Sequence, residues 1–200
     1  MVEVSGVGSA GGVPDVVRLD VGVRCEAADV STALADAAGR ASALADAARD
    51  HGVEPRDLQT TGAGVRPRHD REGVEVIGYA AHQTLRVTVR DPSRVGALVD
   101  AFAGAAGSAL TLDHLSLELS DPGPVREQAR AAAFADARAK ALQYATLAGR
   151  ELGKVTAVTD VVQGGAQPRY ELMAAKTGGL PVELGENTVT ATVVVRWDWT

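Results

Sequence analysis

Aromatic residues are scarce in this chain, at 4% of 200 residues. A core of ordinary size must therefore be filled mainly by Val, Leu and Ala, and at 46% hydrophobic content the chain has enough of them to bury one. Cysteine is nearly absent. Cys25 stands alone, which excludes an intrachain disulfide and a thiolate metal cluster. It alternates in phase with Val17, Leu19, Val21 and Val23, so it is expected to be an inert core thiol and not a nucleophile. No apolar run approaches the roughly 20 residues needed to span a bilayer, so no membrane span is expected. Met1-Val2-Glu3-Val4 has no basic start, no apolar signal core and no cleavage site. A cytoplasmic address follows for the chain as it stands, or a periplasmic or secreted one if a signal has been removed. The net charge of −6 argues against general affinity for nucleic acid or anionic membranes.

Histidine is also sparse, and its placement speaks against catalysis. His51 ends a helix beside Gly52, His69 sits at a hairpin tip among arginines, and His82 lies on a strand. His114 follows Asp113 at a break in strand phase. None has metal-ligand spacing, and no nucleophile turn of the G-x-S-x-G kind occurs. Asp113-His114 could pair as acid and base, but a solvated bulge accounts for both residues more simply. No catalytic residue, metal or cofactor is expected. Arg66, Arg68 and Arg71, with Arg169, suggest a basic hairpin able to meet phosphate groups. Asp70, Glu72 and Glu75 interleave with them, and a solvated hairpin is the simpler account.

The longest regular stretch runs from Ser120 to Lys154. Asp121-Pro122 and Gly123-Pro124 open it as a helix, because proline at the first helical position loses no needed donor. Phe134, Ala137, Ala141, Ala145 and Ala148 recur at helical spacing and predict an alanine stripe that lies close on a sheet, with Phe134 and Leu152 as larger plugs. Asp136 and Lys140 stand four apart in the favourable order for an ion pair.

Before this helix, Val2 to Val7 reads as a weak strand ending in Gly6-Val7-Gly8-Ser9-Ala10-Gly11-Gly12. These glycines fit GxGxxG, but no helix opens after them, so a flexible strand end and turn is expected in place of a dinucleotide site. VVRLDVGVRC is a strand. Asp29 or Ser31 caps a helix whose stripe is Val30, Ala33, Leu34, Ala37, Ala41, Leu44, Ala45 and Ala48, with Asp36 and Arg40 paired outside it. Leu58 to Arg68 and Val74 to Arg90 form a hairpin, and Val95, Leu98, Val99 and Phe102 give a short helix. In the next strand Leu110 and Leu112 are out of phase with Leu115, Leu117 and Leu119, which predicts a β-bulge at Asp113-His114. Lys154 to Val162 and Thr188 to Thr200 are the last strands.

The order from Val16 to Leu119 is β-α-β-β-α-β, which predicts an α+β fold built on a ferredoxin-like plait. The long alanine-rich helix and the remaining strands form a smaller α+β lobe. The two lobes, roughly 14–120 and 121–200 plus the N-terminal strand, are expected to pack as one domain over 1–200.

Several stretches together resemble the SIMPL-domain family. They are VSGVGSAGGVPDVVRLDVGV, GVEPRDLQTTGAGVRPRHD, VIGYAAHQTLRVTVRD, DARAKALQYATLAGRELGKV and LPVELGENTVTATVVVRW, with Pro181, Gly185 and Glu186 in the family's places. The resemblance implies envelope or periplasmic bacterial relatives, some linked to oxidative-stress tolerance and some assembling into large homo-oligomers, and no catalytic set. The expected function is non-enzymatic, through homo-oligomerisation or partner binding; the alternative is a plait that binds a small molecule or nucleic acid. Candidate interface residues are Tyr170, Leu172 and Met173, in the long Gly- and Pro-rich connection of 163–187, with Trp197 and Trp199. That connection is either a surface loop or a docking segment. The two indoles either cap their own lobe or form a subunit contact.

Overall fold

The computed structural model describes residues 1–161 and 185–200. It is a mixed α+β structure of two antiparallel sheets and three helices among the described residues. They divide into two compact units, one of Asp15–Glu118 and one that joins Met1–Pro14, 119–161 and Gly185–Thr200.

The first unit holds β2 (Val16–Ala27), α1 (Val30–Asp50), β3 (Leu58–His69), β4 (Val76–Val89), α2 (Val95–Ala106) and β5 (Leu110–Glu118). Its sheet runs β3-β4-β2-β5, antiparallel throughout. Strand alternation puts Val17, Leu19, Val21, Val23 and Cys25 on one face. There they pack with Ala33, Ala37, Ala41, Leu44 and Ala48 of α1 and Val95, Leu98 and Phe102 of α2. Phe102 is the largest fully buried side chain. Every other buried residue of this core is aliphatic or small, with Tyr79 packed at its edge, as a chain poor in aromatics requires.

Local signals set the ends of α1. The Asp29 carboxylate accepts the Thr32 N–H at 2.9 Å and both nearby hydroxyls, so donors otherwise lacking a partner at the helix start are satisfied. At the other end Gly52 takes φ +83°, Gly52 N–H donates to Arg49 and Val53 N–H to Ala48, a left-handed closure that glycine permits. The apolar stripe is narrower than the sequence suggests. Val30 and Leu34 are 37% and 42% exposed, because four alanines and Leu44 complete the contact and the helix turns these two larger aliphatics outward. The expected Asp36–Arg40 pair does not form; Arg40 donates to the Ala106 carbonyl at 2.8 Å and ties α1 to the end of α2. That carbonyl is at a helix C-terminus, where a guanidinium complements the dipole.

The bulge in β5 is where the leucine phases predict it. Asp20 pairs with His114 and Val21 with Leu112, leaving Asp113 as the extra residue. Leu110, Leu112, Leu115 and Leu117 thereby stand opposite Val23, Val21, Leu19 and Val17, on one face. Leu112 nevertheless keeps 37% exposure, because β5 is an edge strand and α2 does not cover that position fully. A second irregularity, at Thr61 in β3, has no comparable phase signal in its sequence.

The second unit holds β1 (Val2–Gly12), α3 (Gly123–Leu147), β6 (Leu152–Val161) and β7 (Asn187–Trp199), with sheet order β1-β7-β6. Here the glycine cluster departs from expectation. It is no flexible turn: β1 continues through Gly12 and pairs residue by residue with β7, from Val2↔Trp197 to Gly12↔Asn187. The reason lies in α3. Its fully buried residues are Ala129, Ala133, Ala137, Ala141 and Ala145, one every fourth position. A Cβ on Gly6 would come within 2.1 Å of the Ala133 carbonyl, and one on Gly8 within 2.2 Å of the Ala133 N. Glycine on the strand and alanine on the helix let two backbones approach as no larger pair could. Ala148, expected in the stripe, is exposed because α3 ends at Leu147 and Gly149 turns the chain at φ +65°. Phe134 lies on the flank of the stripe and meets Trp197 at a centroid distance of 6.1 Å.

Candidate functional site

The free edge of β1 is closed by side chains of α3. An edge strand presents unpaired N–H and C=O groups, a template for other chains unless blocked. The Asp136 carboxylate accepts the Val7 N–H at 2.9 Å, and the Lys140 ammonium donates to the Ser5 carbonyl at 3.1 Å. The two side chains also bond each other at 2.6 Å, four residues apart as the sequence predicts. Lys140 first, and the Val7 N–H second, hold the Asp136 carboxyl below its usual range. The surface ion pair thus has a definite task, which is to occupy the strand edge.

One turn farther along α3 the same flank becomes apolar. Met1, Val2, Val4, Tyr144, Leu147 and Trp199 line an open cleft of about 900 Å³, with Glu3, Ser5 and Lys140 on its walls. Met1 is 68% exposed, Leu147 76% and Tyr144 52%, so several large side chains meet water around one mouth. Trp199 reaches this cleft at 36% exposure, while Trp197, two residues back on β7, is 3% exposed in the core with Val4, Ala137 and Val195. The two indoles are therefore separated in role: one fills the unit's interior and one faces the cleft. Tyr170, Leu172, Met173 and Arg169 lie outside the described residues. The cleft itself was not read from the sequence, since Tyr144 and Leu147 sit off the alanine stripe and meet β1 only in three dimensions.

The reactive residue types are dispersed. The Cys25 thiol is buried, and burial raises its pKa, the state of a core thiol. The His51 ring contacts the Ala47 carbonyl at 2.9 Å as part of the α1 terminus. His69 and His114 are exposed on separate strands. His114 stands opposite Asp20, whose carboxylate is held below its usual range chiefly by the Arg86 guanidinium at 2.8 Å. Among the described residues no group of three or more His, Cys, Asp and Glu could hold a metal ion, and no helix is long and apolar enough to cross a membrane.

Known proteins similar to this chain share most of its length. A 26 kDa periplasmic immunogenic protein of Brucella melitensis is 29% identical over 216 residues, which cover 98% of this chain and 84% of that protein. The uncharacterized protein YggE of Escherichia coli K12 is 28% identical over 192 residues, covering 94% of this chain and 76% of YggE. Among solved structures, AtUAH in complex with glyoxylate is 17% identical, covering 64% of this chain and 33% of its own, with a TM-score of 0.30. A score that low carries no argument about fold or activity. Residues 2–197 match the family described as SIMPL, protein of unknown function (DUF541), and the chain belongs to that family.

Proposed function

We propose that this SIMPL protein is non-enzymatic and acts by self-association, docking a second copy on the cleft at the end of α3. The observation that carries the reading is the concentration of exposed Met1, Tyr144, Leu147 and Trp199 around one opening. Trp, Tyr and Met are the residues enriched in the cores of protein interfaces, and desolvating them stabilises association. The neighbouring Asp136–Lys140 closure of the β1 edge favours contact through side chains over strand addition at that edge. Dispersal of the histidines and burial of Cys25 support the absence of catalysis. The name of the Brucella relatives supports a periplasmic address in place of a cytoplasmic one. A stress-related role rests on the family resemblance alone.

The unit of Asp15–Glu118 fits a ferredoxin-like plait. Its element order β-α-β-β-α-β and its strand order β3-β4-β2-β5 both support that reading.

The test is native mass by light scattering, for the wild type and for Leu147→Asp combined with Trp199→Ser. The expected result is an oligomeric wild type and a monomeric, folded double variant with an unchanged far-UV spectrum. A wild type that is monomeric at tens of micromolar, or a double variant that keeps the wild-type mass, refutes the reading.

A further inference from the structure

Three strands of the first unit bring cationic side chains to one patch, on the sheet face turned away from α1 and α2. Arg24 of β2 stands opposite His82 of β4, which stands opposite Gly64 of β3. Two residues along, Glu26 and Arg66 flank Ala80, and Arg68 follows opposite Gly78. Cys25, Ala81 and Val65 alternate with these positions; Cys25 and Ala81 are in the core, so the arginine row faces outward. Three guanidiniums and an imidazole thus share this face with one carboxylate, Glu26, which pairs with Arg68 at 2.8 Å and with Arg24 at 3.9 Å. A side chain on Gly64 would meet the His82 ring at 2.8 Å, so the glycine gives the imidazole room to lie over the sheet. Acids of the adjoining turn are Asp70, Glu72 and Glu75; Asp70 is committed to the turn, accepting the Val74 N–H at 2.9 Å. Against a chain whose net charge is −6, this patch is a local reversal of sign.

We propose that the patch formed by Arg24, Arg66, Arg68 and His82 binds a linear oligophosphate. Guanidinium forks match phosphate oxygens in pairs and hold them by charge-assisted bonds. Arg24 and Arg66 lie two strand spacings and two residues apart, roughly 12 Å between backbones, so a chain of three phosphates spans the row that a single phosphate would meet only at one point. The phosphate chain could come free or as part of a nucleotide. The patch holds no Phe, Tyr or Trp, and its one small ring, the His82 imidazole, lies against Gly64 of the sheet, so no large ring face is offered to a base and the free chain is the expected ligand.

The experiment is calorimetric titration of the full-length protein, at low ionic strength, with sodium triphosphate and in parallel with ATP. Saturable binding of triphosphate is expected, with ATP no tighter, and weakening as salt rises. Arg66→Gln with Arg68→Gln should weaken binding at least about tenfold. Arg138→Gln, which removes one positive charge from exposed α3, should leave it within about twofold. If the double variant does not fold, Glu26→Gln serves instead, and removal of the lone carboxylate should tighten binding. Absence of saturable binding to the wild type, equal loss in Arg138→Gln, or weaker binding in Glu26→Gln overturns the proposal, and tighter binding of ATP overturns the free chain as its ligand.

Discussion

Replacing Gly8 by alanine adds one methyl group to a strand, and it should be among the most damaging single changes in the second unit. The added Cβ would lie 2.2 Å from the Ala133 N and 2.5 Å from the Ala129 carbonyl. Ordinary contact begins near 3.5 Å, so the overlap is roughly 1 Å or more, and both opposing atoms are helix backbone that cannot rotate away. α3 must therefore lift from the sheet, loosening the contacts of Ala129, Ala133 and Ala137 together. Overpacking of this kind typically costs about 1–3 kcal/mol, and the backbone-on-backbone geometry places Gly8→Ala at or above the top of that range. Gly6→Ala, with 2.1 Å to the Ala133 carbonyl, should behave alike. The internal control is Gly39→Ala in α1, where an added Cβ meets nothing within 4 Å. There alanine should stabilise the helix by roughly 0.5–1 kcal/mol, since glycine pays more backbone entropy. Urea denaturation followed by circular dichroism measures all three, with the midpoint read at unchanged slope. Gly8→Ala with a wild-type midpoint, or Gly39→Ala as damaging as Gly8→Ala, would show that the close helix–strand seat does not exist.

Two further outcomes follow from the first unit. Deleting Asp113 removes the extra residue of the β5 bulge and turns Leu110 and Leu112 to the wrong face; the loss should exceed the roughly 1 kcal/mol of an average substitution, and an unchanged thermal midpoint would contradict the register. Asp29 is held at about 2 by Ser31, then by the Thr32 N–H and hydroxyl, so its folded pKa lies below the unfolded value. Its contribution is complete above about pH 4 and is lost as pH falls toward 2. Asp29→Asn keeps a capping oxygen without the titration, so its midpoint should depend less on pH than the wild type's across that window; identical profiles would contradict the cap.

Much of the fold was legible where local chemistry and burial agree. The bulge was visible because four leucines and their β2 partners must share a face, and a one-residue phase slip cannot be hidden in so apolar a strand. The α1 boundaries were visible because Asp29 and Gly52 each solve a problem set by the helix end itself. The glycine seat under α3 was not legible. Gly6 and Gly8 look like a turn in their own neighbourhood, and only a helix more than a hundred residues later gives them a reason. Ala129 and Ala133 escaped notice for the same cause, since alanine in a helix-rich run signals propensity as readily as burial. Leu34 misled in the other direction: spacing placed it in the buried stripe, while the contact with the sheet was already complete without it. Of the candidate interface residues, spacing put Trp197 and Trp199 on one strand face, but the depth of α3 cover separates them.

The pairing of β1 with β7 has a consequence for how the polypeptide comes to be made. Val2 meets Trp197, so β1 has no partner in its sheet until β7, well over a hundred residues later in the chain, has been synthesised. Residues 15–118, by contrast, hold all four described strands of their own sheet and can collapse while the ribosome is still at work. Closing a loop of such length costs only modestly more than closing a short one, because the penalty grows with the logarithm of length, but the wait itself is unavoidable. Until α3 and then β7 emerge, Val2, Val4 and the glycine-lined face of β1 stay without their cover and without their partner. An unpaired strand of this kind is a sticky intermediate, of the sort that chaperones shield. β1 and β7 act as the two halves of a clasp, and the unit they close exists only once β7 has been made.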